Sequence, residues 1–197
     1  MPAGIDDNGK RINAIATIDY TFDSQSSNIW REQVGAGADP SAPLPTVRDL
    51  RFHQNRHTIT PRIDVGIYHD TWFGVALPIV VDQSRELTLD QGVSRTTSST
   101  VTSGFLPSAG YDAQTPGTPP GGDVMFRGID RHGIDQLQLQ LGWAPMNQAR
   151  VFTKPTWKLA AELRLAGGAC RKVDPSSPSG NTAIGEGVHE LRVLTSC

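Results

Sequence analysis

The five histidines are the residues best suited to acid–base or metal chemistry near neutral pH. His53 and His57 lie four residues apart, a spacing that places two metal ligands on one face of a helix. Their segment has no helical periodicity, so the spacing does not indicate a metal site. His69 precedes Asp70 in a short turn, and His132 lies in a charged loop in which Gly-Ile-Asp occurs twice. We therefore predict no catalytic or metal-binding histidine.

The sequence lacks the motifs typical of nucleophilic hydrolases, metallopeptidases and nucleotide-binding proteins. It contains no G-x-S-x-G, H-E-x-x-H or Walker sequence, and the glycines in residues 35–37 and 121–122 precede no predicted helix. Cys170 and Cys197 form no C-x-x-C motif, although a disulfide between them is conceivable. We predict a protein that is not an enzyme and uses no cofactor. A hydrolase that assembles Ser, His and a carboxylate from distant strands is an open alternative.

The composition predicts one domain over residues 1–197, rich in strands and loops. The net charge is −2, which differs from the clustered basic excess of a nucleic-acid-binding protein. The 20 glycines and 14 prolines are abundant for a helical protein. The longest apolar stretch, residues 73–81, is far shorter than the ~20 residues of a membrane-spanning helix. We therefore expect neither a membrane-spanning helix nor a nucleic-acid partner.

Alternation of apolar and polar residues is the strongest pattern in the sequence. Between residues 12 and 22 the even positions are apolar, and the odd positions are polar except for Ile15. Successive side chains of a strand point to opposite faces, so this pattern predicts a strand with one apolar and one polar face. The pattern recurs in residues 58–68, 73–81, 136–143 and 157–165, and less regularly in 188–195. The chain is therefore predicted to be all-β.

The predicted strands are long enough to cross a membrane. Their alternation continues for roughly 8–11 residues, whereas strands of soluble domains usually have about 5–6 residues. A tilted strand crosses the hydrocarbon layer of a bilayer with about 9–11 residues. Aromatic residues lie near the ends of the apolar faces, as in the aromatic girdles of outer-membrane barrels. These residues are Tyr20, Phe22, Phe73, Trp143 and Trp157.

The connections between the predicted strands alternate between long and short. Long loops are predicted at residues 23–57, 83–134 and 167–187, whereas residues 69–71 form a tight turn and residues 145–155 a shorter link. Soluble domains seldom contain unstructured loops beyond about 12–15 residues. An up-and-down barrel places every second connection on one side, and outer-membrane barrels have their long connections outside. In this arrangement the N-terminus is predicted to lie in the periplasm, and the three long loops are predicted to face the cell exterior.

The polar faces of the predicted strands would enclose a water-filled interior. In water, each apolar face would need a covering layer, and the sequence contains no amphipathic helix able to supply one. In lipid, the apolar faces point outward and a closed ladder satisfies the backbone. The residues predicted to face the interior and to bind solutes are Asp19, Arg62, Asp64, Gln136, Gln138, Gln140, Lys158, Glu162 and Arg164.

Three segments of the chain, residues 12–22, 62–79 and 135–145, resemble strands of Gram-negative outer-membrane β-barrel proteins. The resemblance is to porin-like and transporter-like members of that class. It implies an antiparallel up-and-down (meander) β-barrel of outer-membrane type, located in the cell outer membrane with lipid around it. The implied function is a pore for passive transport of small solutes, or a surface scaffold. The resemblance assigns no functional residue.

The predicted barrel is incomplete. Five or six strands are fewer than the eight or more of outer-membrane barrels. Residues 191–197 lack a terminal aromatic residue, and the N-terminus has no signal peptide. These features predict that the chain is part of a longer protein and that its sheet has an exposed edge.

A soluble β-sandwich or lipocalin-like ligand-binding module is the main alternative. In that fold the apolar faces point inward, around a ligand or against a second sheet. Lys158, Glu162, Arg164 and the glutamines of residues 136–140 would then face solvent. The two hypotheses therefore differ in which face of the strands is covered.

Overall fold

The computed structural model describes residues 13–32, 46–68, 70–148, 153, 155–170, 180, 182–185 and 187–196. These residues form mostly β-strand, as the alternation predicts, and their only α-helix is the single turn α1 (Ser99–Thr102). No helix in this part of the chain has the length and apolar character that crossing a membrane requires. The strands are β1 Asn13–Glu32, β2 Thr46–Tyr68, β3 Thr71–Ala76, β4 Ile79–Leu89, β5 Tyr111–Asp112, β6 Val124–Arg127, β7 Arg131–Ile134, β8 Gln136–Met146, β9 Trp157–Ala166 and β10 Glu190–Ser196.

The strands follow six successive passes of the chain through one sheet. β3 and β4 both pair with β2 and are separated only by Leu77 and Pro78, so together they form one pass. β8, β7 and β6 pair with those two strands and form the next pass. β1 pairs with β2, β9 with β8, and β10 with β9. Each pass pairs with the one before it in antiparallel fashion, and the prediction of an all-β fold is confirmed.

The sheet is open and mixed. β1 and β10 are the first and last passes, and no pairing within the described residues joins them. The two-residue β5 pairs with β6 in parallel and is the exception to the antiparallel order. The described residues therefore form an all-β sheet with two free edges.

The register of the ladder defines the two faces of the sheet, because residues in direct register point to the same side. One such row consists of Asp64, Gly74, Gln140, Glu162 and Arg192. The row one position away points to the opposite side and consists of Ile63, Val75, Leu139, Leu163 and Leu191. The first side is called the polar face below and the second side the apolar face.

The prediction of a loop over residues 23–57 is wrong for most of its length. β1 continues to Glu32 and β2 begins at Thr46, and the two strands remain paired to these ends. Apart from Phe52, the side chains there are polar on both faces, with residues 24–28 opposite residues 51–55. The apolar alternation therefore ends before the backbone hydrogen bonding does. Only residues 33–45 separate the two strands, and they lie outside the described residues.

The predicted loop at residues 83–134 also contains strand. β4 continues through Leu89, and β5, β6 and β7 lie within the same range. β5, β6 and β7 have two to four residues each, too short to produce a readable alternation. In the described part of the third predicted loop, residues 167–187, a single parallel bridge joins Cys170 to Gly185.

Part of the connection after β4 packs against one end of the sheet. A small buried apolar cluster joins Leu50 of β2 and Leu89 of β4 to Val101 of α1 and Met125 of β6. Arg95 holds the connection together, since its guanidinium donates to the carbonyl oxygens of Ser108, Pro120, Gly122 and Val124. This end of the sheet therefore has the one conventional apolar core of the described structure.

Asp49 attaches α1 to β2 at the same end. Its carboxylate accepts hydrogen bonds from Ser99 Oγ at 2.6 Å, from the backbone N–H of Thr100 at 2.9 Å and from Ser98 Oγ at 3.1 Å. Burial acts to raise the pKa of Asp49, but these hydrogen bonds outweigh burial, and the pKa lies below its usual value of 3.8. The carboxylate therefore stabilises this attachment in its ionised form.

We expect the attachment of α1 to weaken in acid and to depend on Asp49. A group with a lowered folded-state pKa stabilises the fold above its unfolded pKa, and this contribution is lost as the pH falls through the folded value, here below about pH 4. The protection factors of residues 98–106, which compare observed hydrogen exchange with the intrinsic rate at each pH, should therefore fall below pH 4. In Asp49→Asn, exchange should already be faster at pH 7, by a loss of about 1–3 kcal/mol of local stability.

The control for this prediction is Asp123→Asn, which changes an exposed carboxyl of the same connection. Asp90 also has a lowered pKa, through the backbone N–H of Gln91 and its ion pair with Arg48, so some acid sensitivity should persist in Asp49→Asn. Equal exchange rates for the wild type and Asp49→Asn at pH 7 would contradict the role assigned to Asp49.

Candidate functional site

A network of charged and amide side chains occupies the middle of the polar face. The guanidinium of Arg62 donates to both oxygens of Asp64, from Nε at 2.6 Å and from Nη2 at 2.7 Å. The same Nη2 donates to Oε1 of Gln140, two passes away across β3. Three of the residues predicted from sequence are thus brought together in one hydrogen-bonded group.

Two glycines make room for large side chains on this face. A Cβ at Gly74 would collide with the carboxylate of Asp64, and a Cβ at Gly142 would collide with the indole ring of Trp72. Trp72 is only 4% exposed despite its size. The glycines therefore allow the polar face to carry the ion pair and the indole side by side.

Opposite charges alternate along and across the last two passes. Arg164 donates to Glu162 at 2.6 Å within β9, and Arg192 donates to Glu190 at 2.7 Å within β10. In register, Glu190 lies opposite Arg164 and Arg192 lies opposite Glu162. Each charge therefore has opposite charges beside it in both directions, which offsets the repulsion between like charges on this face.

The polar face is more deeply covered than the apolar face. Gln140 and Glu162 are each 7% exposed, whereas the neighbouring Leu141 and Leu163 are 54% and 39% exposed. Trp143 is 51% exposed on the apolar face. A water-soluble sheet shows the opposite distribution, because burial of apolar surface drives its folding.

The remaining predicted residues lie on the same face. Asp19 is exposed on β1, opposite Thr60, and Lys158 is half-buried on β9, opposite Ser196. Gln138 of β8 lies opposite Ala76 of β3 on one side and opposite Arg164 of β9 on the other. Gln136 is buried and donates from Nε2 to the carbonyl oxygen of Val188 at 3.4 Å.

A polar cavity of about 200 Å³ opens on this face next to the network. Two of its lining residues, Gln136 and Arg164, are among those predicted from sequence. Sequence reasoning missed the others that carry charge, which are Arg56, Arg85, Asp135, Glu190 and Arg192. Four arginines thus face two carboxylates, so the lining carries a formal charge of +2.

A segment of the connection before β10 forms one wall of the cavity. Ile184 lines it and is buried. The carbonyl oxygen of Ala183 accepts from Arg131 Nη1 at 2.7 Å, and that of Thr182 accepts from the backbone N–H of His132 at 3.1 Å. The segment is therefore attached to β7 by hydrogen bonds from the two residues that precede Ile184.

The histidines of the described residues do not converge on a site. His57 lies on the apolar face, where its Nδ1 is 2.7 Å from the hydroxyl of Tyr20 and its ring is 4.8 Å from that of Phe22. His189 Nδ1 accepts from the backbone N–H of Ala166. Within the described ranges, no group of three or more His, Cys, Asp or Glu residues is arranged to hold a metal ion. His69 and Cys197 lie outside those ranges, and Cys170 is exposed.

Aromatic residues of the apolar face lie at two levels. Trp143 and Phe73 lie near the turn between β2 and β3, and Trp157 lies beside them at the start of β9. Tyr20 and Phe22 lie at the other level, opposite residues 59 and 57 of β2. Aliphatic side chains occupy the apolar face between the two levels: Ile18, Ile63, Val75, Leu139, Leu163 and Leu191.

The polar face, its ion pairs and its cavity therefore form the candidate functional site. No protein-family model, no curated protein and no solved structure matches the chain.

Proposed function

We propose that the chain forms strands of an outer-membrane β-barrel in which the polar face lines a water-filled interior and the apolar face contacts lipid. Its function is then passive passage of small hydrophilic solutes. The observation that carries this proposal is the inverted exposure of the two faces, with Gln140 and Glu162 covered and Leu141 and Trp143 open. In lipid, exposed apolar side chains are favourable and need no second layer.

The two aromatic levels support a membrane location. They are separated by about eight or nine residues of β2, or ~28 Å of strand at ~3.3 Å per residue. A strand tilt of ~40° reduces this distance to ~21 Å along the membrane normal, close to the ~25 Å height of the apolar band in outer-membrane barrels. Amphipathic rings such as those of Tyr20 and Trp143 are favoured at the two interfaces.

The ion pairs of the polar face are compatible with a water-filled interior. Arg62 and Arg164 keep about a quarter of their side-chain surface exposed while their carboxylate partners are covered. Ion pairs in a dry core often fail to recover their desolvation cost, whereas partly hydrated pairs carry less of that cost. The proposal therefore accounts for the polar and the apolar face together.

The proposal includes further strands that pair with the free edges. Unpaired backbone groups of β1 and β10 would each cost several kcal/mol in hydrocarbon, since no water is there to satisfy them. A closed barrel needs the ladder to continue from both strands. The apolar surface of β10 extends to this edge, since Leu191 and Val193 are highly exposed.

Purification with and without detergent tests the proposal. We expect the chain to require detergent for solubility, to co-float with phospholipid vesicles and to migrate faster on gels before heating than after it. A monodisperse, detergent-free protein that does not associate with vesicles would contradict the proposal and favour the soluble binding module.

A further inference from the structure

We propose that an apolar pocket at the end of the β1–β2 ladder binds a free amino acid with a large apolar side chain, such as phenylalanine or leucine. The pocket has a volume of about 330 Å³ and is lined by β1, β2, α1 and the segment that follows α1. Its walls do not depend on what covers the apolar face of the sheet. The inference therefore goes beyond the proposed function and holds or fails independently of it.

The uncharged lining of the pocket is mostly apolar. Ile29 of β1 lies directly opposite Leu50 of β2, on the side of the ladder that carries the polar face further along β2. Thr100 of α1 and Phe105 are the other uncharged lining residues, and the backbone N–H of Phe105 donates to the carbonyl oxygen of Thr100 at 3.1 Å. Ile29 and Phe105 are 40% and 72% exposed, although both are apolar. Apolar side chains that stay open around a pocket are typical of a binding site for an apolar group.

The pocket has room for the side chain of a large apolar amino acid. An apolar cavity of ~150 Å³ is sufficient for benzene. A pocket of about 330 Å³ therefore accommodates a benzyl or isobutyl group together with the atoms that carry its charges. The hydroxyl of Thr100 already donates to Asp49 at 3.2 Å, so this wall offers the ligand no free hydroxyl.

One cation and one anion border the pocket. Arg31 and Glu32 are the last two residues of β1, and the ion pairs of the described residues include neither of them. Consecutive side chains of a regular strand point to opposite faces. The ladder, however, shifts its register between Ile29 and Trp30, and Arg31 and Glu32 both border the pocket. A ligand with a carboxylate and an ammonium on the same carbon complements these two charges.

Arg31 retains donors for the carboxylate of the ligand. Its guanidinium packs on the ring of Phe105, with Cζ 5.0 Å from the ring centroid, and its Nη2 donates to Ser103 Oγ at 3.3 Å. Both partners are uncharged and do not neutralise the guanidinium. Its Nε is enclosed, so we assign the carboxylate to Nη1, which donates in none of the described contacts. Glu32 is exposed and is assigned to the ammonium.

Calorimetric titration of the full chain in detergent with L-phenylalanine and three analogues tests the inference. 3-Phenylpropionate lacks the ammonium, phenethylamine lacks the carboxylate, and L-alanine lacks the ring. We expect phenylalanine to bind about tenfold more tightly than each analogue, or more, because each analogue loses a charge-assisted hydrogen bond or the burial of the ring. Equal affinities for phenylalanine and any one analogue, or no binding of phenylalanine, would overturn the inference.

Two variants separate the roles of the two charges. Glu32→Gln should remove the preference for phenylalanine over 3-phenylpropionate and leave the preference over phenethylamine, and Arg31→Gln should do the reverse. The matched control is Arg51→Gln, which should keep both preferences, since Arg51 lies outside the pocket and pairs with Asp90. Glu32 is exposed, so Glu32→Gln decides the result if Arg31→Gln does not fold. A preference over 3-phenylpropionate that persists in Glu32→Gln would overturn the assignment of the ammonium.

Vesicle association distinguishes failure of this inference from failure of the proposed function. A chain that binds phenylalanine with these preferences but does not associate with vesicles supports the inference and loses the proposed function. A chain that associates with vesicles but binds phenylalanine and its analogues equally retains the proposed function and loses the inference.

Discussion

Arginine in place of Ile63 is expected to prevent stable membrane insertion, whereas arginine in place of Thr60 is not. Ile63 is 54% exposed and lies between the two aromatic levels of the apolar face. An arginine on the lipid side near the bilayer midplane costs about 2–4 kcal/mol. Thr60 lies three residues away on the polar face, opposite Asp19, where an arginine gains a charge partner. Urea unfolding in phospholipid vesicles, followed by tryptophan fluorescence, measures both variants.

The substitution Ile63→Arg would have a much smaller effect on stability if the apolar face were exposed to water. In a water-soluble protein, a half-exposed isoleucine is a surface position, and its replacement changes stability by only about 0.5 kcal/mol in either direction. A variant Ile63→Arg with unchanged stability and better solubility would therefore contradict the lipid-facing assignment of the apolar face.

Truncation of Trp72 is expected to cost about 3–5 kcal/mol of unfolding free energy, as for other buried aromatic residues. Its indole is buried on the polar face against Gly142, so Trp72→Ala leaves a large void there. Trp143→Ala is the matched control, because Trp143 lies one position from Gly142 but is half-exposed on the other face. We expect the control to lose about 1 kcal/mol.

A second substitution tests the contact between Trp72 and Gly142 directly. Gly142→Leu alone should be destabilising, because its Cβ would collide with the indole. In the Trp72→Ala background the same leucine should fill the void and restore part of the lost stability. The coupling energy from a double-mutant cycle should be at least about 1 kcal/mol, and purely additive effects would contradict the packing described for this pair.

The all-β fold and the division of each strand into two faces were predictable from sequence. Alternation over residues 12–22 and 157–165 assigns each side chain to a face, and short connections require neighbouring antiparallel strands. Arg62, Asp64, Gln140, Glu162 and Arg164 therefore lie on the predicted face. Arg62 contacts Asp64 and Gln140, and Arg164 contacts Glu162.

The cavity was not predictable, because a change of register decides which residues line it. The alternation of residues 73–81 continues to Asp82 and places Asp82 on the polar face. The pairing shifts between residues 57 and 58 of β2, so Asp82 lies opposite His57, and Gln83 lies opposite Arg56. A β-bulge reverses the side on which later residues point. Gln83 and Arg85 thereby reach the polar face from a segment predicted as loop.

The long extensions of β1 and β2 escaped prediction for a different reason. Alternation indicates contact with an apolar environment, and the ladder between residues 24–28 and 51–55 has polar side chains on both sides apart from Phe52. Backbone hydrogen bonds extend these strands without an apolar face. The sequence pattern therefore predicts the apolar part of each strand but not the residue at which the strand ends.

Fluorescence quenching at two positions of β8 tests the central claim most directly. In a chain with Cys170 and Cys197 replaced by serine, Leu141→Cys and Gln138→Cys would each carry a fluorophore in phospholipid vesicles. The account predicts that the label at 141 is quenched by nitroxide placed in the lipid chains, and the label at 138 by a water-soluble quencher. A label at 141 protected from lipid quenchers, together with a label at 138 that lipid reaches, would contradict the account.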